Sequence, residues 1–268
     1  MTEDKSKIPC TACILTLNSG KTLERCLSGL VEFDEIVVMD GNSTDNTLEI
    51  AGKYGAAIYP QTETKEKNVK ITNFIEVRNR LFSLPKNDWV FAVDSDEYVT
   101  PELVTAIRGI VSRNNILDAA LVNRKTVIGD KVIEYAFFYP DMPLRVWNRK
   151  GGIYYKSGGG AKKVHEKPFF PDGINKIYLQ EAIMSPWEDW ESCLRKDNYY
   201  LELASGGVKS IPLPKRIKKA INNFLKAVYI ALKSGVIYLK FGFRASLPPK
   251  YVWRFMRYHF ILGKNYLF

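Results

Sequence analysis

At 268 residues and 46% hydrophobic content, the chain is too apolar for a disordered polypeptide and long enough for one large domain, with or without an appendage. Its net charge of +10 is unevenly placed: 13 of the 39 basic residues and none of the 29 acidic ones follow Glu202, so a body of −3 carries a tail of +13. No run of about 18 residues escapes interruption by charge, which argues against a spanning helix, and residues 1–7 lack the apolar stretch of a secretory signal.

Taken in chain order, residues 12–18 read as a buried strand ending at Asn18. Residues 22–30 read as a short helix with Leu23, Leu27 and Leu30 on one face. A second strand, 35–39, ends at Asp40, and a helical segment follows from Thr47 to about Lys53. Residues 56–59 form a third short strand, and the lysine-rich stretch 61–72 reads as a mobile loop. A helix at 74–82 leads to the strand 89–93, which runs into Asp94-Ser95-Asp96-Glu97. Pro101 can then open a helix, where its missing N–H costs nothing.

This alternation predicts an open, parallel α/β sheet with ligands at the carboxyl ends of its strands. Asn18, Asp40 and Asp94 all fall at such ends. Crowded carboxylates repel, and a hard divalent cation relieves that repulsion while neutralising a bound diphosphate. The competing reading of 94–97 is an acidic surface turn with Asp96 as a helix cap.

Further strands are expected at 119–122, 131–135 and 144–149. Gly151-Gly152 and Ser157-Gly158-Gly159-Gly160 flank 153–156, which suits either a closing loop or a plain hairpin. Cys10 and Cys13 sit at an odd spacing that points them to opposite faces of a strand. With Cys26 and Cys193 isolated, the four are expected as reduced, buried thiols, which suits a reducing cytoplasm. Leu15 stands where a phosphate-binding G-x-x-x-x-G-K-T loop needs its first glycine, which excludes that motif at Gly20-Lys21-Thr22.

Four segments, Leu15-Thr16-Leu17-Asn18, Val38-Met39-Asp40-Gly41-Asn42-Ser43-Thr44-Asp45-Asn46-Thr47, Arg78-Asn79 and Asp94-Ser95-Asp96-Glu97, together resemble family 2 glycosyltransferases of the GT-A fold. Val164-His165-Glu166 and the tail resemble the branch containing lipopolysaccharide-core β-1,4-glucosyltransferases. The resemblance implies an α/β fold: a GT-A mixed, mainly parallel sheet with flanking helices and a C-terminal amphipathic helical appendage. It implies a catalytic domain at 1–205, with a nucleotide-sugar half at 8–110 and an acceptor-side half at 111–205, and a tail at 206–268. The implied activity is inverting transfer of a hexose, glucose foremost, from a UDP-sugar to a membrane-associated glycolipid such as lipopolysaccharide core, or to a polysaccharide. Mn2+ or Mg2+ is the implied cofactor.

On the same resemblance, Leu15, Leu17, Asn18, Asp40, Arg78, Asp94 and Ser95 meet the donor, with Asp40 accepting from a nucleobase N–H. Arg78 would pair with the diphosphate, unless it is an exposed helix arginine. Asp94 and Asp96, with His165, are the candidate metal-site residues. Glu166 is the candidate base for the acceptor hydroxyl, with Glu97 next in line. Asp45 reads as a helix cap.

In the tail, Ile217, Ile221, Phe224, Leu225, Val228 and Leu232 recur at helical spacing, with Lys215, Lys219, Lys226 and Lys233 on the opposite face. A second segment, 251–262, mixes Trp253, Phe255, Met256, Tyr258 and Phe260 with Arg254 and Arg257. Such helices suit an anionic membrane surface, giving a cytoplasmic protein peripherally attached to the inner face of the cell membrane. The alternative is packing on the catalytic body or a second subunit, an oligomer through the tail. Contiguous apolar residues disfavour a nucleic-acid partner. The other readings are a glycosyltransferase acting on protein or nucleic acid and a nucleotidyltransferase on a similar sheet, though Asn18-Ser19-Gly20-Lys21 is a poor match to the loop of the latter.

Overall fold

The computed structural model describes residues 6–157, 166–187 and 189–267. The chain divides into two compact units, Met1–Arg124 with Asp141–Ser185, and Lys125–Pro140 with Pro186–Phe268.

The first unit opens with β1 (Ile8–Thr16), α1 (Leu23–Ser28), β2 (Phe33–Asp40), α2 (Thr47–Lys53), β3 (Ala57–Pro60), α3 (Phe74–Leu81) and β4 (Trp89–Asp94). It continues with β5 (Tyr98–Val99), α4 (Pro101–Arg113) and β6 (Asp118–Ile128), the last residues of which belong to the second unit. After β7 (Lys131–Val132) in the second unit come β8 (Leu144–Asn148), β9 (Tyr154–Ser157), β10 (Glu166–Phe169) and β11 (Asn175–Pro186). The strand order of the first unit is β3-β2-β1-β4-β8-β6-β11-β5, with β9 and β10 forming a separate hairpin. The pairs from β3 through β4 are parallel, while β8 joins β4 and β6 antiparallel. This is the mixed sheet with flanking helices expected from the sequence.

β1 is central, so both its faces are covered, and its apolar residues run almost without alternation. Cys10 packs with Ile14, Leu27 and Phe91 on one side, whereas Cys13 packs with Met39, Leu81 and Trp147 on the other. All four cysteines are buried, as expected of them. α4 begins where Thr100 accepts from the Leu103 N–H and Pro101 takes the first turn. It ends at Asn114, whose left-handed backbone (φ 50°) closes the last turn.

Three local expectations change. The 131–135 strand stops at Val132, because Glu134 and Tyr135 turn their N–H groups to the Ala245 carbonyl instead. The lysine-rich stretch after β3 is anchored at both ends: buried Gln61 donates to the Thr16 and Met39 carbonyls, and the Asn68 N–H bonds the Asn42 carbonyl. β11 and α5 (Trp190–Ser205) form where no element was expected.

The second unit contains α5, α6 (Leu213–Phe241) and α7 (Pro249–Leu267), with the β6–β7 turn. It reaches further than the 206–268 appendage, because Ile133, Ala136 and Cys193 share a core with Ile230, Leu247, Tyr251 and Val252. α6 and α7 run antiparallel: Arg216 bonds the Tyr266 carbonyl at one end, and the Tyr238 hydroxyl bonds the Leu247 carbonyl at the other. Gly263 lets them approach, since a Cβ there would lie 2.8 Å from the Phe224 ring. Asp197 of α5 and Arg254 of α7 form a two-pronged ion pair, with its shorter bond at 2.7 Å. Among the described residues no helix is long and apolar enough to cross a membrane.

Candidate active site

Strand register sets the site. Asp40 lies beside Thr16, and Asp94 lies beside Leu15, so both carboxylates emerge at the same edge, one step apart on the strand between them. The loops beyond these strands are stitched together. The Ser19 and Ser95 hydroxyls are 2.9 Å apart, and the Asn18 N–H donates to Ser43 Oγ at 2.8 Å. Asn18 itself has a left-handed backbone (φ 50°), its side chain accepting from the Thr44 N–H and donating to Asn68. Asparagine tolerates that conformation better than most residues. Gly41 has a steric role: a Cβ there would sit 2.6 Å from the Val69 carbonyl oxygen. Leu15 and Leu17 are half-buried at this edge.

Asp40 is buried and accepts from Thr16 Oγ1 at 2.7 Å, the Ser43 N–H at 2.7 Å and Ser43 Oγ at 2.6 Å. An ionised carboxylate has about four acceptor positions, so one remains. Asp45, expected as a helix cap, lies one residue before the N-cap position Asn46 and accepts from the Thr47 and Gly20 N–H groups.

Asp94 is the more open carboxylate, its side chain 37% exposed. Arg145 Nη2 approaches its Oδ2 at 3.3 Å, and Arg78 Nη2 lies 3.8 Å from its Oδ1. Burial works against the charge of Asp94, but Arg145, Arg78 and Arg124 outweigh it and hold the carboxyl below its ordinary range. Glu97 lies beneath. Its Oε1 meets Arg145 at 2.5 Å and its Oε2 accepts the Asp94 N–H at 3.1 Å. Burial pushes the Glu97 carboxyl up to about 7 against the pull of Arg145, with the charge of Asp94 adding to the rise. With both oxygens engaged and 1% of its surface exposed, Glu97 does not reach an acceptor hydroxyl. Asp96 is half-buried beside Asp94.

Glu166 opens β10 and accepts from Arg78 Nε at 3.0 Å. Arg78 is therefore not an exposed helix arginine: its side chain is 19% exposed and stands between Glu166 and Asp94. Its neighbour Asn79 exchanges two 2.8 Å bonds with the Tyr155 backbone, pinning the β9–β10 hairpin to α3. His165, Val164 and the glycines at 158–160 lie outside the described residues.

Sequence reasoning missed Arg145, Arg124, Ser43 and Gln61. Arg145 left one signal, a lone cation inside the apolar strand Leu144-Arg145-Val146-Trp147, where burial demands a partner.

The family model described as "Glycosyl transferase family 2" matches residues 11–183. The glycosyltransferase SunS of the Bacillus subtilis SPbeta prophage is 25% identical over 167 residues, 62% of this chain and 36% of SunS. The chain thus spans about a third of the length of that relative. An uncharacterized glycosyltransferase of Rickettsia bellii is 26% identical over 245 residues, covering 87% of this chain and 78% of that protein. Among solved structures, S. aureus TarS in complex with UDP-GlcNAc aligns at 15% identity with a TM-score of 0.49, over 92% of this chain and 70% of that one. The sheet described above is of the GT-A type, and the family match runs from its first strand to near the end of β11. The chain belongs to glycosyl transferase family 2.

Proposed function

We propose that the protein transfers a hexose, glucose foremost, from a UDP-sugar to a hydroxyl of a membrane-borne glycolipid such as lipopolysaccharide core. The observation that carries this reading is the placement of Asp40 and Asp94 on one sheet edge, beside Thr16 and Leu15 of the same strand. Asp40, with one acceptor position left, receives the nucleobase N–H. Leu15, Leu17, Asn18 and Ser95 shape the rest of the donor cleft. The family match sets the nucleotidyltransferase alternative aside.

The carboxylates of Asp94 and Asp96 fit Mn2+ or Mg2+. They are hard oxygen donors at a partly open strand end, and Asp94 favours its charged form. Among the described residues no cluster of three metal-binding side chains occurs, so phosphate oxygens of the donor would complete the coordination, with His165 as a further candidate. When bound, such a cation compensates the charge of the departing diphosphate. Arg78 stands between the acceptor side and the donor side, where its cation serves the same leaving group.

Glu166 is the base. Its carboxylate takes the proton of the acceptor hydroxyl, the acceptor oxygen bonds the anomeric carbon, and the bond from that carbon to the diphosphate breaks, releasing UDP. Direct displacement inverts the anomeric centre. Glu97 and Arg145 position Asp94 and do not touch the sugar.

A screen of nucleotide-sugar hydrolysis tests the donor assignment without needing an acceptor. UDP-hexose should be hydrolysed slowly in the presence of Mn2+. Hydrolysis confined to a different nucleotide would contradict it.

A further inference from the structure

α6 carries two apolar rows, and only one of them has a partner. Ala220, Ala227 and Ile230 are buried, and Phe224 packs on Phe260 and Gly263 of α7. The other row is Ile217, Ile221, Leu225, Val228, Leu232 and Val236. Its spacings of four, four, three, four and four residues keep it on one flank of the helix. These side chains are 41% exposed at Ile217 and 67% at Leu232, and Leu239 continues the row at 91%. From Ile217 to Leu239 the row runs for roughly 33 Å at the helical rise.

The charge that flanks the outer row, between it and the α7 side, identifies what covers it. Lys219, Lys226, Lys233 and Lys240 recur every seven residues along the same helix, and no Asp or Glu occurs anywhere after Glu202. A second copy seated on the row in a two-fold contact would bring lysine rows together with no carboxylate of the tail to offset them. An anionic bilayer offers both an apolar layer for the row and negative headgroups for the lysines, whose long stems reach from one to the other.

We propose that this outer row of α6 is a membrane-docking surface. The helix lies in the interface of an anionic bilayer with Leu225, Val228 and Leu232 inserted, while its inner row stays packed on α7. The sequence alternatives of lipid binding and protein packing are thereby divided between two faces of one helix. The proposal deepens the reading of a membrane-borne acceptor and rests on it for its purpose, but docking itself requires no donor, metal or acceptor.

The test is co-sedimentation of the full chain with vesicles of phosphatidylcholine alone or mixed with phosphatidylglycerol. The parent should pellet with the anionic vesicles and far less with the neutral ones. Leu225→Ser combined with Leu232→Ser should weaken that binding by about tenfold or more, since each leucine loses apolar burial. Lys226→Glu with Lys233→Glu and Lys240→Glu should abolish the preference for anionic vesicles. Leu225 and Leu232 are exposed on the flank away from Phe224, which packs on α7, so the melting temperature of the serine variant should hold, and its UDP-sugar hydrolysis should match the parent. A serine variant that melts normally and pellets like the parent would overturn the proposal. So would a parent that is dimeric by light scattering and becomes monomeric on the serine substitutions, because the row would then be a self-interface. Docking that survives while UDP-hexose hydrolysis is absent would refute the catalytic reading and leave the surface assignment standing.

Discussion

Arg145 Nη2 lies 2.5 Å from Glu97 Oε1 and 3.3 Å from Asp94 Oδ2, so one buried guanidinium holds the floor and the rim of the candidate donor site. Its third contact, Nη1 to the Ala92 carbonyl at 3.3 Å, fixes it to the strand that ends in Asp94. Removing one partner of such a pair strands the other charge. Arg145→Met should therefore cost about 3–5 kcal/mol of stability in urea denaturation. Glu97→Gln in the same chain should recover part of that loss. An Arg145→Met protein as stable as the parent would mean that the pair is dispensable to the fold.

Asp40→Ala should weaken UDP binding about tenfold or more with metal chelated, the scale of one hydrogen bond to a charged group. Calorimetry with UDP and a chelator measures it. Thr16 and Ser43 lose their acceptor in the same variant, so a modest fall in melting temperature should accompany the loss. Undiminished UDP affinity would remove Asp40 from the nucleobase site.

Glu166→Gln should leave donor binding nearly intact and lower transfer by roughly 10²-fold or more, the usual scale of a general base. Radiolabelled sugar transfer, measured beside UDP calorimetry, separates the two effects. Transfer at the parental rate would place the base elsewhere.

Much of the first hundred residues was legible because local pattern and global fold agree there. β2 and β4 are long apolar runs that end in Asp40 and Asp94, β1 ends two residues before Asn18, and strand ends in an open α/β sheet are where ligands bind. What was illegible depends on contacts distant in sequence. Glu166 meets Arg78 across 88 residues and Arg145 meets Glu97 across 48, and neither partner carries a local mark of the other. Glu97 looked like a spare base because a sequence shows a carboxylate but not its burial. The tail's apolar periodicity was clear, but periodicity alone could not say which of two adjacent rows on α6 would pack against α7.

His259 gives the second unit a pH signature. Burial, with Lys226 adding, holds its imidazole pKa below the usual histidine range, and its Nδ1 lies 2.9 Å from Asn223 Oδ1. The folded state thus binds the proton more weakly than the unfolded chain does. Its contribution to stability is full above the ordinary histidine pKa of about 6.5 and falls as pH drops through it. The helices should melt at a lower temperature at pH 5 than at pH 7.5, and His259→Gln should shrink that difference. An unchanged difference in the variant would assign the pH effect to other groups.

In the proposed function, Asp94 and Asp96 form the metal-dependent half of a nucleotide-sugar site. Titration of UDP into the protein with and without Mn2+, in the parent and in Asp94→Asn and Asp96→Asn, tests it most directly. Mn2+ should tighten UDP binding in the parent, and each substitution should abolish this gain while the melting curve stays cooperative. Equal metal-dependent tightening in the parent and both variants would contradict it.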